Sequence, residues 1–169
     1  MRVAVGSDHA GFDLKERLKR FLDALPVAYD DLGCSSSDPV DYPDIAAAVA
    51  CKVADGTVDR GILICGTGIG MAIAANKIGG IRAAPACSVE AVALARRHND
   101  LNVLALGARI MPDDDAFAFV RVFLDTPFDG GRHQRRIDKI AALEGKNTPD
   151  SGLRTPDPGP RTHKVSHHA

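Results

Sequence analysis

The segment Ile64-Cys65-Gly66-Thr67-Gly68-Ile69-Gly70 places a thiol at the end of an apolar run and follows it with glycines at alternate positions. Alternate glycines let the backbone approach a ligand closely, and a helix starting just beyond them would aim free amides at it, so an anion is expected here. A dinucleotide fingerprint is disfavoured because G-x-G-x-x-G needs a glycine where Met71 stands, and the Lys-Ser/Thr ending of a P-loop is absent. Cys65 has two readings. By itself it is a small buried hydrophobe. Facing glycine amides at a helix start, it is a thiol in a setting that favours the thiolate, which can act as nucleophile or base. Cys34 lies in a Ser-rich loop and Cys51 and Cys87 lie among alanines, so none of the three is assigned a role.

Four other groups carry reactive side chains. In Gly6-Ser7-Asp8-His9-Ala10-Gly11 an Asp-His pair precedes a helix; Asp8 and His9 would meet a ligand, or Ser7 or Asp8 merely caps that helix. His98-Asn99-Asp100 closes a later helix, where Asn99 would serve as a C-terminal cap. Gly107-Ala108-Arg109 follows a strand, which brings Arg109 to the ligand edge. Arg132 and Arg136 are spaced i, i+4 on one helix face, either as a solvated basic stripe or as paired guanidiniums suited to a phosphate dianion.

These residues need a frame. Short β-branched or apolar runs at about 2–6, 27–32, 59–65, 81–86 and 101–106 alternate with longer amphipathic stretches, a βαβ rhythm. In the first helix Leu14, Leu18, Phe21, Leu22 and Leu25 share one face while Lys15, Glu16, Lys19 and Arg20 point away. Further helices are predicted near 43–55, 68–78, 88–98, 112–125 and 132–144, with Pro43 and Pro112 in first turns. Runs such as Gly61-Ile62-Leu63-Ile64-Cys65 lack polar alternation, as parallel strands covered on both faces do. The fold class is therefore α/β: a three-layer α/β/α Rossmann-like sandwich on a five-stranded parallel sheet. Ligands bind beyond the carboxyl ends of such strands. His98 and Asn99 would then sit at the opposite edge from Cys65, so they are structural or they serve a neighbouring subunit's site.

With 169 residues and 45% hydrophobic content the chain supports one domain, placed at 1–145. Residues 146–169 include Pro149, Pro156, Pro158 and Pro160 and little that is apolar, so they read as a disordered tail, and His163, His167 and His168 as part of a solvated surface. A net charge of −1 gives no reason to expect nucleic acid or an acidic membrane as a partner. No stretch reads as a signal peptide or membrane span, and the four cysteines show neither C-x-x-C nor zinc spacing, so a cytoplasmic location without disulfides or structural metal is expected.

Taken together, Ser-Asp-His-Ala-Gly at 7–11, Asp-Tyr-Pro at 41–43, Ile-Cys-Gly-Thr-Gly-Ile-Gly at 64–70, Ala-Ala-Asn-Lys at 74–77, Arg-His-Asn-Asp at 97–100 and Gly-Gly-Arg-His-Gln at 130–134 closely resemble ribose-5-phosphate isomerase type B, over nearly all of 1–145. The resemblance implies cofactor-free and metal-free exchange of ribose 5-phosphate with ribulose 5-phosphate, through ring opening and a cis-enediol. Cys65 matches the proton acceptor, and Thr67 and His98 match residues of ring opening and proton donation. Asp8 and Asn99 match holders of sugar hydroxyls, and the amides of Gly66, Gly68, Ile69 and Gly70 fall where an enediolate oxygen would be stabilised. His9, Arg109, Arg132 and Arg136 match phosphate-binding positions, and Tyr42 a site-lining tyrosine. Another branch carries a glutamate base where Met71 stands; this chain has the cysteine. The resemblance also implies homodimers or homotetramers with shared active sites. Galactose 6-phosphate, allose 6-phosphate or a tetrose 4-phosphate are alternative substrates for the same machinery, and a non-catalytic sugar-phosphate-binding module is the reading outside enzymes.

Overall fold

The structure, a computed structural model, describes residues 1–144; the tail expected over 146–169 lies outside the described residues. Five strands, β1 (Arg2–Ser7), β2 (Ala28–Asp31), β3 (Arg60–Cys65), β4 (Ala83–Pro85) and β5 (Val103–Gly107), form one parallel sheet in the order β2-β1-β3-β5-β4. Six helices connect and flank them: α1 (Phe12–Asp23), α2 (Tyr42–Ala54), α3 (Ile69–Ala75), α4 (Val89–Asn99), α5 (Asp113–Asp125) and α6 (Gln134–Glu144). Short 3-10 turns at His9–Gly11 and Gly131–His133 lead into α1 and α6.

Side chains alternate across the central strands, as the two-residue repeat of a strand requires. Val3, Val5, Ile62, Ile64, Leu104 and Leu106 face the layer of α1, α4 and α5, whereas Ala4, Leu63, Cys65, Val103 and Ala105 face α2 and α3. Both faces are apolar because both are covered, which gives the predicted three-layer sandwich. Leu14, Leu18 and Leu22 are buried on α1, each worth about 2 kcal/mol on removal from water. The edge strands β2 and β4 are the short ones, which limits unwanted pairing.

Some boundaries and one side chain differ from expectation. The helix predicted over 68–78 ends at Ala75, because Asn76 turns its amide onto β4, donating to the Ala83 carbonyl and accepting from the Ala83 N–H, both at 2.8 Å. Pro43 lies in the first turn of α2, but Pro112 caps α5 from outside. Lys15, expected to point away from the core, is 1% exposed. Its stem runs under the loop after β2, and its ammonium meets Asp31 at 2.6 Å and Glu16 at 2.8 Å, with Lys19 at 2.8 Å from the same Asp31 oxygen. A long stem can be covered provided its charge finds partners.

The chain leaves β1 for β2 on one side and returns to β3 on the other. The carboxyl ends of β1 and β3 therefore flank a switch point, the usual place for a ligand in an open parallel sheet.

Candidate active site

At that switch point Ser7 of β1 pairs with Ile64 of β3, so the residues that follow each strand emerge side by side. The Asp8 N–H donates to the Ile64 carbonyl at 3.2 Å. Asp8 is buried, and its Oδ1 accepts from the Gly11 N–H at 3.0 Å, so it does cap the 3-10 turn, with one carboxylate oxygen. His9 Nδ1 accepts from the Val40 N–H at 3.4 Å, which makes Nε2 the donor of the neutral ring.

Cys65 points toward the α2/α3 layer and is 5% exposed. The Gly68 N–H donates to its Sγ at 3.1 Å, and a donor aimed at sulfur stabilises negative charge there. Gly68 reaches this position with φ +77, in the left-handed region that glycine occupies without steric cost. Tyr42 lies against Gly70, where a Cβ would stand 2.9 Å from the phenol Cζ. The Arg109 side chain flanks Gly66, and the Arg109 backbone N–H donates to the Gly66 carbonyl at 3.0 Å, while the Ala108 N–H donates to the Cys65 carbonyl at 2.8 Å. Thr67 is exposed beside them, its Oγ1 accepting a long 3.4 Å bond from the Ile69 N–H. Asp8, His9, Tyr42, Cys65 to Gly70 and Arg109 therefore share one edge. Such a set can hold a small hydroxylated anion against a thiolate base.

A second group forms at the other edge of the sheet. Helix α4 runs back from that carboxyl edge and ends at Asn99, and Asp100, with φ +46, is its C-terminal cap. This corrects the expectation that Asn99 caps the helix: the left-handed residue is Asp100, whose N–H bonds the Arg96 carbonyl at 3.2 Å. The Asn99 carbonyl accepts from Arg82 Nε at 3.0 Å. His98 stacks on His133 with ring centroids 4.3 Å apart and planes 5° from parallel. The 3-10 turn carrying His133 is held there by the Asp129 N–H on the Arg97 carbonyl at 3.0 Å and by an Arg97–Asp129 ion pair at 3.1 Å. Burial, then the charges of His98, Arg132 and Arg136, push the His133 imidazolium to a lower pKa than usual, with Asp129 pulling the other way. Arg132 and Arg136 are exposed, and among the described residues neither they nor Arg109 pairs with a carboxylate.

The predicted residues thus fall into two sets on opposite edges: one around Cys65, the other containing His98, Asn99, Arg132 and Arg136. The sequence motifs assign no role to His133, because its stacking partner lies 35 positions earlier and only the fold joins them. Ligand atoms of His98, Asp129 and His133 lie within 4.8 Å of one another. Parallel imidazole planes do not aim their lone pairs at one point, however, so this geometry does not form a metal cage. A cavity of about 570 Å³ near Met1 is lined by Arg60, Arg82 and Arg96, but these guanidiniums are engaged. Arg60 donates to the Phe123 and Leu124 carbonyls that end α5, Arg96 to the Thr126 carbonyl, and Arg82 and Arg96 pair with Asp100. Among the described residues no helix is long and apolar enough to cross a membrane.

The family model described as Ribose/Galactose Isomerase matches residues 3–140. The chain belongs to the ribose/galactose isomerase family. Over 143 residues it is 46% identical to ribose-5-phosphate isomerase B of Escherichia coli strain K12, a match covering 85% of this chain and 96% of that protein. The structure of Clostridium thermocellum ribose-5-phosphate isomerase B superposes with a TM-score of 0.86 at 44% identity, covering 88% of this chain and 100% of that one. Ribose-5-phosphate isomerase B of Mycoplasma genitalium, solved with bound ribulose-5-phosphate, gives a TM-score of 0.82 at 44% identity, over 86% of this chain and 97% of that one. As a member of the ribose/galactose isomerase family, with that family's five-stranded parallel fold, the chain is a sugar isomerase.

Proposed function

We propose that the chain interconverts ribose 5-phosphate and ribulose 5-phosphate in the cytoplasm, with Cys65 as the base and each site completed by a second copy of the chain. The observation that carries this is Cys65 Sγ at the switch point with the Gly68 N–H directed at it. In the first step His98 of the second copy protonates the ring oxygen of the furanose while Thr67 assists removal of the O1 proton. The open aldehyde is held through its hydroxyls by Asp8 and by Asn99 of the second copy. The Cys65 thiolate then takes the C2 proton, giving a cis-enediolate whose O1 the amides of Gly66 to Gly70 stabilise; a proton passes from O2 to O1, and the thiol returns its proton to C1 as the C2 carbonyl forms. His9 and Arg109 from one copy, with Arg132 and Arg136 from the other, hold the phosphate. Binding energy at this remote group positions the reacting carbons. Tyr42 walls the pocket.

Two features support a shared site. The edge-to-edge separation of the two residue sets leaves each incomplete within one chain. In addition, Ile69 and Ile73 on α3 and Ile140 and Leu143 on α6 are 42–58% exposed, apolar surface that a second copy would cover. The test is Cys65→Ala, assayed for ketose formation from a panel of aldose phosphates and for solvent deuterium incorporation at C1 of ribulose 5-phosphate. Both activities are expected to vanish while phosphate-dependent binding persists; near wild-type isomerisation by the variant would sink the assignment.

A further inference from the structure

The proposed mechanism leaves His133 unused, although the fold treats it with care. It is 6% exposed, in a turn whose neighbouring arginines reach solvent. One ring nitrogen, Nε2, accepts a 3.4 Å bond from Arg132 Nε, while Nδ1 is buried without a hydrogen-bond partner among the described residues. An unpaired buried nitrogen costs free energy that an apolar side chain would avoid, so the polar edge does not explain the residue. Its flat face does. Parallel rings 4.3 Å apart restrict each other's rotation about the Cβ–Cγ bond, and the half-buried His98 ring makes no hydrogen bond among the described residues that would fix its plane instead.

We infer that His133 is a positioning residue for His98: its buried ring fixes the plane in which His98 presents its proton to the sugar ring oxygen, and its bond from Arg132 links that alignment to phosphate capture. This rests on the proposed function, in which His98 opens the furanose. Proton delivery needs donor and acceptor about 2.6–3.2 Å apart, so a ring free to swing loses most productive encounters. The groups facing the pair are Arg132, Arg136 and the Arg97–Asp129 ion pair. Burial and this cationic surrounding disfavour a charge on His133, so a neutral ring lies against His98 as His98 gains and loses its proton.

The experiment separates ring opening from carbon chemistry. Ribulose 5-phosphate cannot close to a furanose because its O5 is esterified, so exchange of its C1 proton with deuterium draws on Cys65 and not on His98. In His133→Ala, conversion of ribose 5-phosphate should fall about 30- to 100-fold in kcat with KM nearly unchanged, and C1 exchange by less than about threefold. His133→Phe, which restores a flat ring, should recover about tenfold of the loss. If the alanine variant fails to fold, His133→Phe against His133→Leu makes the same comparison. Conversion and exchange falling together, a rise in KM alone, or no change in either would overturn the inference. A wild-type protein that neither converts nor exchanges would instead refute the isomerase reading on which it stands.

Discussion

Gly68 is the residue where backbone geometry and the proposed chemistry meet, and Gly68→Ala tests both. Any L side chain at φ +77 pays about 1–2 kcal/mol of left-handed strain. Gly56, with φ +76 in the turn after α2, pays the same and has nothing within 4 Å of the added Cβ, so Gly56→Ala measures the torsional term alone. At Gly68 the new Cβ would also stand 3.1 Å from the Leu106 carbonyl carbon and 3.2 Å from the Ala105 carbonyl, backbone atoms of β5 that cannot yield as a side-chain tip would. The loop must move by a few tenths of an ångström, adding about 1–2 kcal/mol of overpacking and drawing the N–H away from Cys65 Sγ. For a chain of this size that places Gly68→Ala about 2–8 °C below Gly56→Ala in Tm. Loss of the donor should lower kcat about 100-fold, whereas Gly56→Ala should stay near wild type. Thermal melts by circular dichroism and a ketose-forming assay on purified proteins provide both readouts. Equal melting temperatures for the two variants, or a Gly68→Ala kcat close to wild type, would refute the reasoning.

Mixing inactive Cys65→Ala and His98→Ala chains should restore activity, since each hybrid dimer has one intact site; a random 1:1 mixture should reach about a quarter of the wild-type rate. No recovery despite subunit exchange confirmed by mass spectrometry would argue against shared sites. Asp31→Asn should cost about 1–3 kcal/mol at neutral pH, because Lys15 stays buried with a weakened partner set and the remaining exposure of Asp31 limits the loss. Burial alone would raise the Asp31 pKa, but hydrogen bonds from Lys15 and Lys19 outweigh it and hold it below the usual 3.8. The stabilisation is therefore complete above that value and fades as pH falls through the lower folded value, so urea titrations of variant and wild type should converge in acid. A gap that stays constant to pH 2 would contradict this.

The sheet, its parallel sense and the strand ends that carry Asp8, Cys65 and Arg109 were legible in the amino-acid sequence, because hydrophobic period and glycine placement are local signals. Topology even predicted that His98 stands away from Cys65, since a helix returning between parallel strands must end at the opposite edge. The burial of Lys15 was not legible: a lysine on a polar helix face looks solvated until the end of β2 brings Asp31 to its ammonium and the loop after it lays Gly33 over its stem. Nor was the left-handed cap at Asp100 rather than Asn99, where two adjacent residues with similar turn chemistry compete and it is the Asp100 carboxylate that pairs with Arg82 and Arg96. The stack of His98 on His133 lies furthest from the sequence. It joins residues far apart in the chain, and only the three-dimensional course of the segment from α5 through Asp129 brings one imidazole over the other.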